Sequence, residues 1–419
     1  MNKTIQKFLL CFWVLVFFLL AGVVIKYCRE TGTETPRKEE KRDELVLMAV
    51  CEEKENDEYL KELVEEYSRL PGNPQVRLQY VSQSSFQKQL CIDKDQNNLP
   101  DLIICENVMT PALQSMGILK DLSGYMTAEK SSEYLKNAYN STVVNGVCYG
   151  VPFTSNPYVM FYNQDYLKKY NASIPSGMEE FYKLCRETST LGTYGLGFSV
   201  KNKEDITSSF LQMIYSAGGT IRSLDTENCM QLYKVLGGMR DEGIIPQEVV
   251  NWNQKDLMRA FSRGYVKIAI ASLSSMSILE RSDMKFQYKI AEIPYIQKQT
   301  CLLQGDNMGI SVTADYGEAV KLLDYLTSPQ VMKKYWENTY CLSVRKDLEV
   351  NPASKRGLTD EYLKRERNQS ILKSSYSTWF IISDGIAGNL ADFFGDKSIT
   401  PEEAGKRLQR DIRNAIMER

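Results

Sequence analysis

From residue 45 onward the chain alternates between short apolar runs and amphipathic stretches. Leu45 to Val50 is apolar throughout and predicts a buried strand, and Tyr59, Leu60, Leu63, Val64 and Tyr67 then recur at spacings of three and four, which places them on one face of a helix that Asn56 is able to cap. Val76 to Val81 alternates as a second strand, Ser84 to Leu90 predicts a short second helix, and Leu99 to Cys105, apolar from 102 on, predicts a third strand covered on both faces. Strand–helix alternation of this kind predicts a doubly wound α/β sheet, in which ligands gather outside the carboxyl ends of the strands. Glu106 and Asn107 follow the third strand directly and are candidates on that ground, although either side chain also suits the capping of a turn.

The pattern is broken between Thr142 and Leu167. An Asn-Gly turn leads into Tyr149 to Phe153, Ser155-Asn156-Pro157 interrupts, and Val159 to Asn163 resumes. Proline removes a ladder donor and Asn-Pro favours a turn, so the expectation is two short strands with a bend rather than one central strand. Alternation then continues. Ser176-Gly-Met-Glu179 predicts a capping box, Thr193 to Phe198 a glycine-rich strand, 207–217, 228–241 and 254–262 helices, and Val266 to Ala271 a strand that ends in Ser272-Leu-Ser-Ser275. The glycine-rich strand lacks the third glycine and following helix of a dinucleotide fingerprint. Strands are expected at Tyr288 to Tyr295 and Gly305 to Val312, a helix at Ala319 to Leu326, and a helix start at Ser328-Pro329. A polar stretch fills 346–370, and a capping box at Thr400-Pro-Glu-Glu403 launches Ala404, Leu408, Ile412 and Ile416 at spacings of four.

A length of 419 residues exceeds one typical core and predicts two lobes. The net charge of -2 shows no basic excess for nucleic acid. The absence of histidine removes the usual neutral-pH base and the commonest metal ligand, and the ten cysteines form no CxxC pair, which argues for free thiols over a zinc site or disulfide framework. Asp93-Lys-Asp-Gln-Asn97 opens like a calcium loop but lacks its glycine and closing glutamate, so neither metal nor cofactor is implied. At the amino end, Phe8 to Ile25 is uncharged and has no polar face. Residues 1–28 are therefore expected to be a membrane anchor or signal segment, and 29–44 a charged linker. Six Lys or Arg residues after the span against two before it would by simple counting hold the large domain inside; the glutamates that share the linker weaken that argument.

Several of these stretches together resemble the extracellular solute-binding proteins of sugar ABC transporters, the group that includes the maltose-binding protein. They are LPDLIICE (99–106), NGVCYGVPFTSNPYVMFYNQDYLKKY (145–170), AFSRGYVKIAIAS (260–272), KIAEIPY (289–295), GDNMGISV (305–312), LLDYLTSPQVMKKYWENTYCLSVRKD (322–347) and SITPEEAGKRLQRDI (398–412). The resemblance implies a periplasmic-binding-protein-like fold of two α/β lobes, 45–153 plus 293–346 and 154–292 plus 347–419, joined by crossings near Pro152 to Asn156, Glu292 to Pro294 and Arg345 to Val350. It further implies a monomer that closes over a solute and delivers it to ABC permease subunits, with the large domain outside the cell.

By position the resemblance marks Glu106, Asn107 and Thr154 as polar cleft residues and Trp379 as a stacking aromatic; Ser274 and Ser275 fall where the maltose-binding protein has an aromatic. A sugar offers apolar C–H faces to aromatic rings and hydroxyls to polar groups. Trp252 and Trp379 supply faces and Asp306 and Asn307 further edges, whereas Phe153, Tyr158 and Trp336 read as core. No Arg or Lys lies beside these polar positions in the sequence, which points to a neutral carbohydrate or small oligosaccharide. The rivals are a cationic solute such as a polyamine, a membrane-tethered sensor with a signalling partner, and a glycosidase, for which no carboxylate pair has a known separation and no nucleophile has a histidine.

Overall fold

The apolar runs become strands and the striped segments become helices that cover them, as the alternation requires. The computed structural model describes residues 44–51, 58–169, 171–348 and 356–417. The expected membrane segment, the linker up to residue 43, the cap Asn56 and the end of the third crossing lie outside the described residues. Among the described residues no helix is long and apolar enough to cross a membrane.

The strands of the two larger sheets are β1 (Glu44–Val50), β2 (Gln75–Val81), β3 (Leu102–Glu106), β4 (Val151–Pro152), β5 (Tyr158–Asn163), β6 (Tyr194–Phe198), β7 (Val266–Ser272), β8 (Tyr288–Ala291) and β9 (Asp306–Ile310). They form two sheets, one in the order β2-β1-β3-β9-β4 and one in the order β8-β5-β7-β6. In the first, β1 runs parallel to β2 and β3, as a doubly wound sheet predicts, but β9 is antiparallel to both β3 and β4. In the second, β5 is antiparallel to β7 and β8, and only β6 and β7 run parallel. The interrupted stretch is thus two strands in two different sheets, β4 and β5, and the bend at 153–157 carries the chain from one to the other. Ser155 in that bend bridges to Leu342.

Gly305 permits the close packing at this point. Its φ is +128°, and a Cβ there would collide with the carbonyl oxygen of Thr154. Apolar side chains of the first sheet pack with Trp336, which is fully buried and donates its Nε1–H to the Phe153 carbonyl at 2.9 Å. One face of the second sheet packs Val159, Phe161, Ala269 and Ala271 against Leu257, Phe261 and Tyr362.

Several elements depart from the sequence expectation. The second helix runs over Gln83–Asp95, beyond Leu90, and the strand from Tyr288 stops at Ala291. Ser176 does not cap: the helix begins at Met178 with Gly177 before it and no side-chain cap. A reciprocal capping box exists instead at Asn253 and Asp256, starting the helix Gln254–Ser262. The polar stretch 346–370 contains the helix Asp360–Gln369, anchored by buried Tyr362, Leu363 and Glu366. Two apolar residues do not make a readable stripe, which is why the pattern hid it. Among the described residues no cysteine is joined in a disulfide, and six of the eight described cysteines are buried.

Candidate functional site

Where the two sheets approach each other, β3 ends at Glu106 and β9 begins at Asp306, and these two acids are directly opposed across the strand pair. Directly opposed side chains share a sheet face, so two carboxylates are held side by side, an arrangement that repulsion disfavours unless something compensates. From the second sheet's side, the helix Lys203–Ser216 brings Glu204 and Asp205 in its first turn, where the positive helix end favours acids; Asn202 caps it, accepting from the Glu204 N–H at 3.1 Å. Lys373 enters from the loop after Ile371–Leu372, a short strand that runs parallel to Leu302–Leu303.

Lys373 is fully buried and donates to Glu106 Oε1 at 2.9 Å and to Ser208 Oγ at 2.8 Å. Its Nζ also lies 5.6 Å from the centroid of the Trp379 ring. Thr154 ties the bend to this cluster: its Oγ1 accepts the Asp306 N–H at 2.9 Å and donates to Asp306 Oδ2 at 3.0 Å. Ser383 donates to Glu204 Oε1 at 2.5 Å. Asp205 accepts from Tyr158 at 2.8 Å, Gln254 Nε2 at 2.7 Å and Ser199 at 3.1 Å.

Loss of water pushes the carboxyl of Asp306 up to about 6, with the charge of Glu106 adding to it. Asp205 is also raised to about 6 by burial, against the pull of its three hydrogen bonds. Glu204 is raised first by burial and then by Glu106, with Lys373 opposing.

The same junction gathers buried polar atoms without hydrogen-bond partners. They are Asn107 Oδ1, Trp379 Nε1 and both side-chain amide atoms of Gln304, while the carboxyls of Glu204 and Glu106 hydrogen-bond to each other. Gln304 directly follows Leu303, whose partner Leu372 precedes Lys373, so it belongs to this neighbourhood. Each such atom costs about 1–3 kcal/mol if it stays unpaired. Beside the cluster, and meeting it at Asp205 and Asp306, lies a cavity of about 290 Å³ lined from both sheets. Its wall includes Asn156, Asn202, Asn253, Gln254, Ser272, Ser274 and Ser275, with Tyr59 and Tyr335 as its aromatics. Gln254 organises this wall: its Oε1 accepts from the Ser272 N–H at 3.0 Å, Ser272 Oγ at 2.8 Å and Ser275 Oγ at 2.7 Å. Asn156 holds Ser274 through two hydrogen bonds of 2.9 and 3.0 Å.

The fold therefore brings together Glu106, Asn107, Thr154, Asp306 and Trp379 at the junction, and sets Ser274 and Ser275 on the cavity wall. Trp379 starts the helix Trp379–Gly395 and is fully buried there. Asn307, one residue along β9 from Asp306, turns to the other face, where its Nδ2 donates to Thr110 Oγ1 at 3.0 Å and Ser141 Oγ at 3.1 Å. Trp252 lines a separate groove of about 880 Å³ with Thr193, Arg259, Arg263 and Tyr265.

The argument from missing cations does not survive folding, because Lys373 sits on Glu106 and Lys255 and Arg281 line the cavity. Lys373, Glu204, Asp205, Gln254 and Gln304 were not legible as site residues. Asn202-Lys-Glu-Asp205 carries a helix-start signal and nothing more, and Lys373 lies 267 residues from its partner.

The model of the bacterial extracellular solute-binding protein family matches residues 62–358. A putative binding protein of Brucella abortus (strain 2308) is 23% identical over 242 residues, a match that spans 55% of this chain and 59% of that protein. The multiple sugar-binding protein of Streptococcus mutans is 22% identical over 377 residues, 82% of this chain and 86% of that protein. Among solved structures, maltose-bound MalE3 of T. maritima superposes with a TM-score of 0.78 at 18% identity, covering 88% of this chain and 99% of that one.

Proposed function

Because the chain belongs to the bacterial extracellular solute-binding proteins, we propose that the junction of its two lobes binds a carbohydrate and presents it to the transmembrane subunits of an ABC permease. The observation that carries this reading is the concentration of unpaired buried polar atoms at that junction, next to a cavity walled by amides and hydroxyls. Polar atoms held there without partners are what a polyhydroxylated solute satisfies on closure. Trp379 provides an indole beside the carboxylates, and Glu106, Asn107, Thr154, Asp306, Ser274 and Ser275 provide the edges. The division into 45–153 with 293–346 and 154–292 with 347–419 is supported by the sheet that each of β1 to β9 joins, while the pair Leu302–Leu303 and Ile371–Leu372 spans it. The expected anchor at 8–25 would tether the domain at the outer face of the membrane, and protease shaving of intact cells tests it: removal of the large domain supports it, full protection refutes it.

The reading is one of binding without chemistry on the ligand. It is tested by a thermal-shift and calorimetric screen of the full-length protein in detergent against glycans, polyamines and sugar phosphates. A saccharide that raises the melting temperature and titrates with one-site stoichiometry supports it. A hit confined to sugar phosphates or polyamines overturns the carbohydrate assignment, and turnover of a bound glycoside overturns the absence of chemistry.

A further inference from the structure

We propose that Gln304 determines specificity for the solute: its side-chain amide, the Asn107 carboxamide and the Trp379 indole N–H together receive two hydroxyls on an uncharged part of the sugar. Trp379 then acts through its N–H and not as a stacking face. This deepens the carbohydrate reading and rests on it.

The first ground is where Gln304 stands. Its carbonyl accepts the Asn156 N–H at 2.8 Å, and the carbonyl of Gly305 accepts the Asn107 N–H at 2.8 Å. Leu303 before it pairs with Leu372, the residue before Lys373, and Gly305 after it is pressed against Thr154 at a φ of +128°. The backbone is thereby fixed on both sides, yet the side chain is 1% exposed and neither of its amide atoms is hydrogen-bonded. A buried carboxamide without a partner is rare, because burial strips its water and nothing replaces it. Its neighbours share the defect. Asn107, 2% exposed, has Oδ1 unpaired, and Trp379, fully buried, has Nε1 unpaired.

The second ground is the kind of group these atoms call for. The acids of the junction are already provided for: Glu106 accepts from Lys373 and hydrogen-bonds with Glu204, Asp306 is tied to Thr154, and Asp205 takes three donors. The unpaired atoms are neutral and balanced, with two acceptors, Asn107 Oδ1 and Gln304 Oε1, and two donors, Gln304 Nε2 and Trp379 Nε1. A hydroxyl both donates and accepts, so two hydroxyls give each of the four atoms a partner, whereas an ammonium only donates and a carboxylate or phosphate only accepts. Trp379 does not have the face toward Lys373 to offer. The Nζ there lies 5.6 Å from the ring centroid, is fully buried, and is held by Glu106 and Ser208. The N–H at the edge of the indole is what the ring has left to give.

The test is calorimetry and thermal melting of the full-length protein in detergent, wild type beside Gln304→Leu and Trp379→Phe. The probes are glucose, galactose, mannose, maltose, cellobiose and lactose, followed by the monodeoxy derivatives of whichever binds most tightly. Both variants are expected to weaken that sugar at least tenfold. Trp379→Phe keeps an aromatic face and removes the N–H, so a stacking role predicts affinity close to wild type. Gln304→Leu exchanges an unpaired buried amide for an apolar side chain, so it should raise the melting temperature of the unliganded protein while it weakens binding, a combination that a purely structural role does not produce. Wild type should reject at least one monodeoxy derivative by tenfold or more, and Gln304→Leu should bind that derivative as well as it binds the parent sugar. Wild-type affinity in either variant, or a Gln304→Leu protein that melts lower or does not fold, overturns the inference and leaves the carbohydrate reading standing. Binding of no sugar in the panel by wild type overturns both.

Discussion

Trp379 and Trp252 offer the same ring and meet different fates. Trp379 is buried beside Lys373 with its Nε1–H unpaired, while Trp252 packs edge-on against Tyr265 in a groove apart from the cavity. Trp379→Ala is expected to weaken a carbohydrate hit by roughly 1 to 3 kcal/mol, as loss of a buried aromatic contact does. Trp252→Ala is expected to leave the affinity within about twofold, since a residue off the interface contributes little. Titration calorimetry on both variants checks the pair, and the reverse ranking would move the site to the second groove. Gln254 makes a different kind of contribution. Its amide bridges Asp205 to Ser272 and Ser275, so Gln254→Leu removes one of the three hydrogen bonds to Asp205 and the shared acceptor of two hydroxyls. A loss of about 1 to 3 kcal/mol in unfolding free energy by denaturant titration is expected, because each unpaired group is left desolvated.

Among the elements, the short strands β4 and β9 and the bend between β4 and β5 set the site. Gly305 lets β9 start against Thr154, and β9 in turn delivers Asp306 opposite Glu106. Gly305→Ala adds a Cβ where the Thr154 carbonyl already stands, at a φ that L residues rarely adopt. It is expected to cost at least about 1 kcal/mol of stability and to weaken ligand binding as well, measured by denaturation and calorimetry on the same preparation. Stability lost with affinity unchanged would mean that the bend does not position the acids. The interruption at Ser155-Asn156-Pro157 was readable because proline and Asn-Pro act locally. The antiparallel insertion of β9 into the first sheet was not, since nothing in the five residues Asp306 to Ile310 specifies their partner or direction.

For the molecule as a whole, a solute that touches both lobes stabilises the closed state by its differential affinity. Small-angle scattering of the full-length protein in detergent, with the detergent contrast-matched, should therefore show compaction with a confirmed ligand; an unchanged radius at saturation would exclude hinge closure. The buried acids add a pH signature. Asp205 and Asp306 are raised to about 6 and Glu366, buried beneath Ser155 of the bend, to about 8, in each case chiefly by burial. A raised carboxyl holds its proton longer in the folded chain than in the unfolded one. Its contribution to stability is complete below the unfolded value and is lost as pH rises through the folded value. The unliganded protein should accordingly melt at higher temperature near pH 5.5 than near pH 8. Asp121 and Asp347, whose carboxyls are held low by hydrogen bonds to Ser123 and Arg345, act in the opposite sense only at lower pH. A melting temperature that falls on going from pH 8 to 5.5 would refute the assignment of these carboxyls as raised by burial.

Local chemistry was enough to place β1, β2 and β3, the helix Gln254–Ser262 and the break between β4 and β5, because apolar periodicity, capping residues and proline act within a few positions. The order of the stretches from 99 to 412 carried the family, and with it the two lobes and the positions of Glu106, Thr154 and Trp379. Which acids meet which cation depended on the folded chain. Glu106, Glu204, Asp306 and Lys373 come from four separate segments, and each is unremarkable beside its own neighbours in the sequence. Their shared charge and lost water arise only once β9 lies along β3 and the loop at Lys373 closes over both, since burial and Coulomb interaction depend on distance in space and not along the chain.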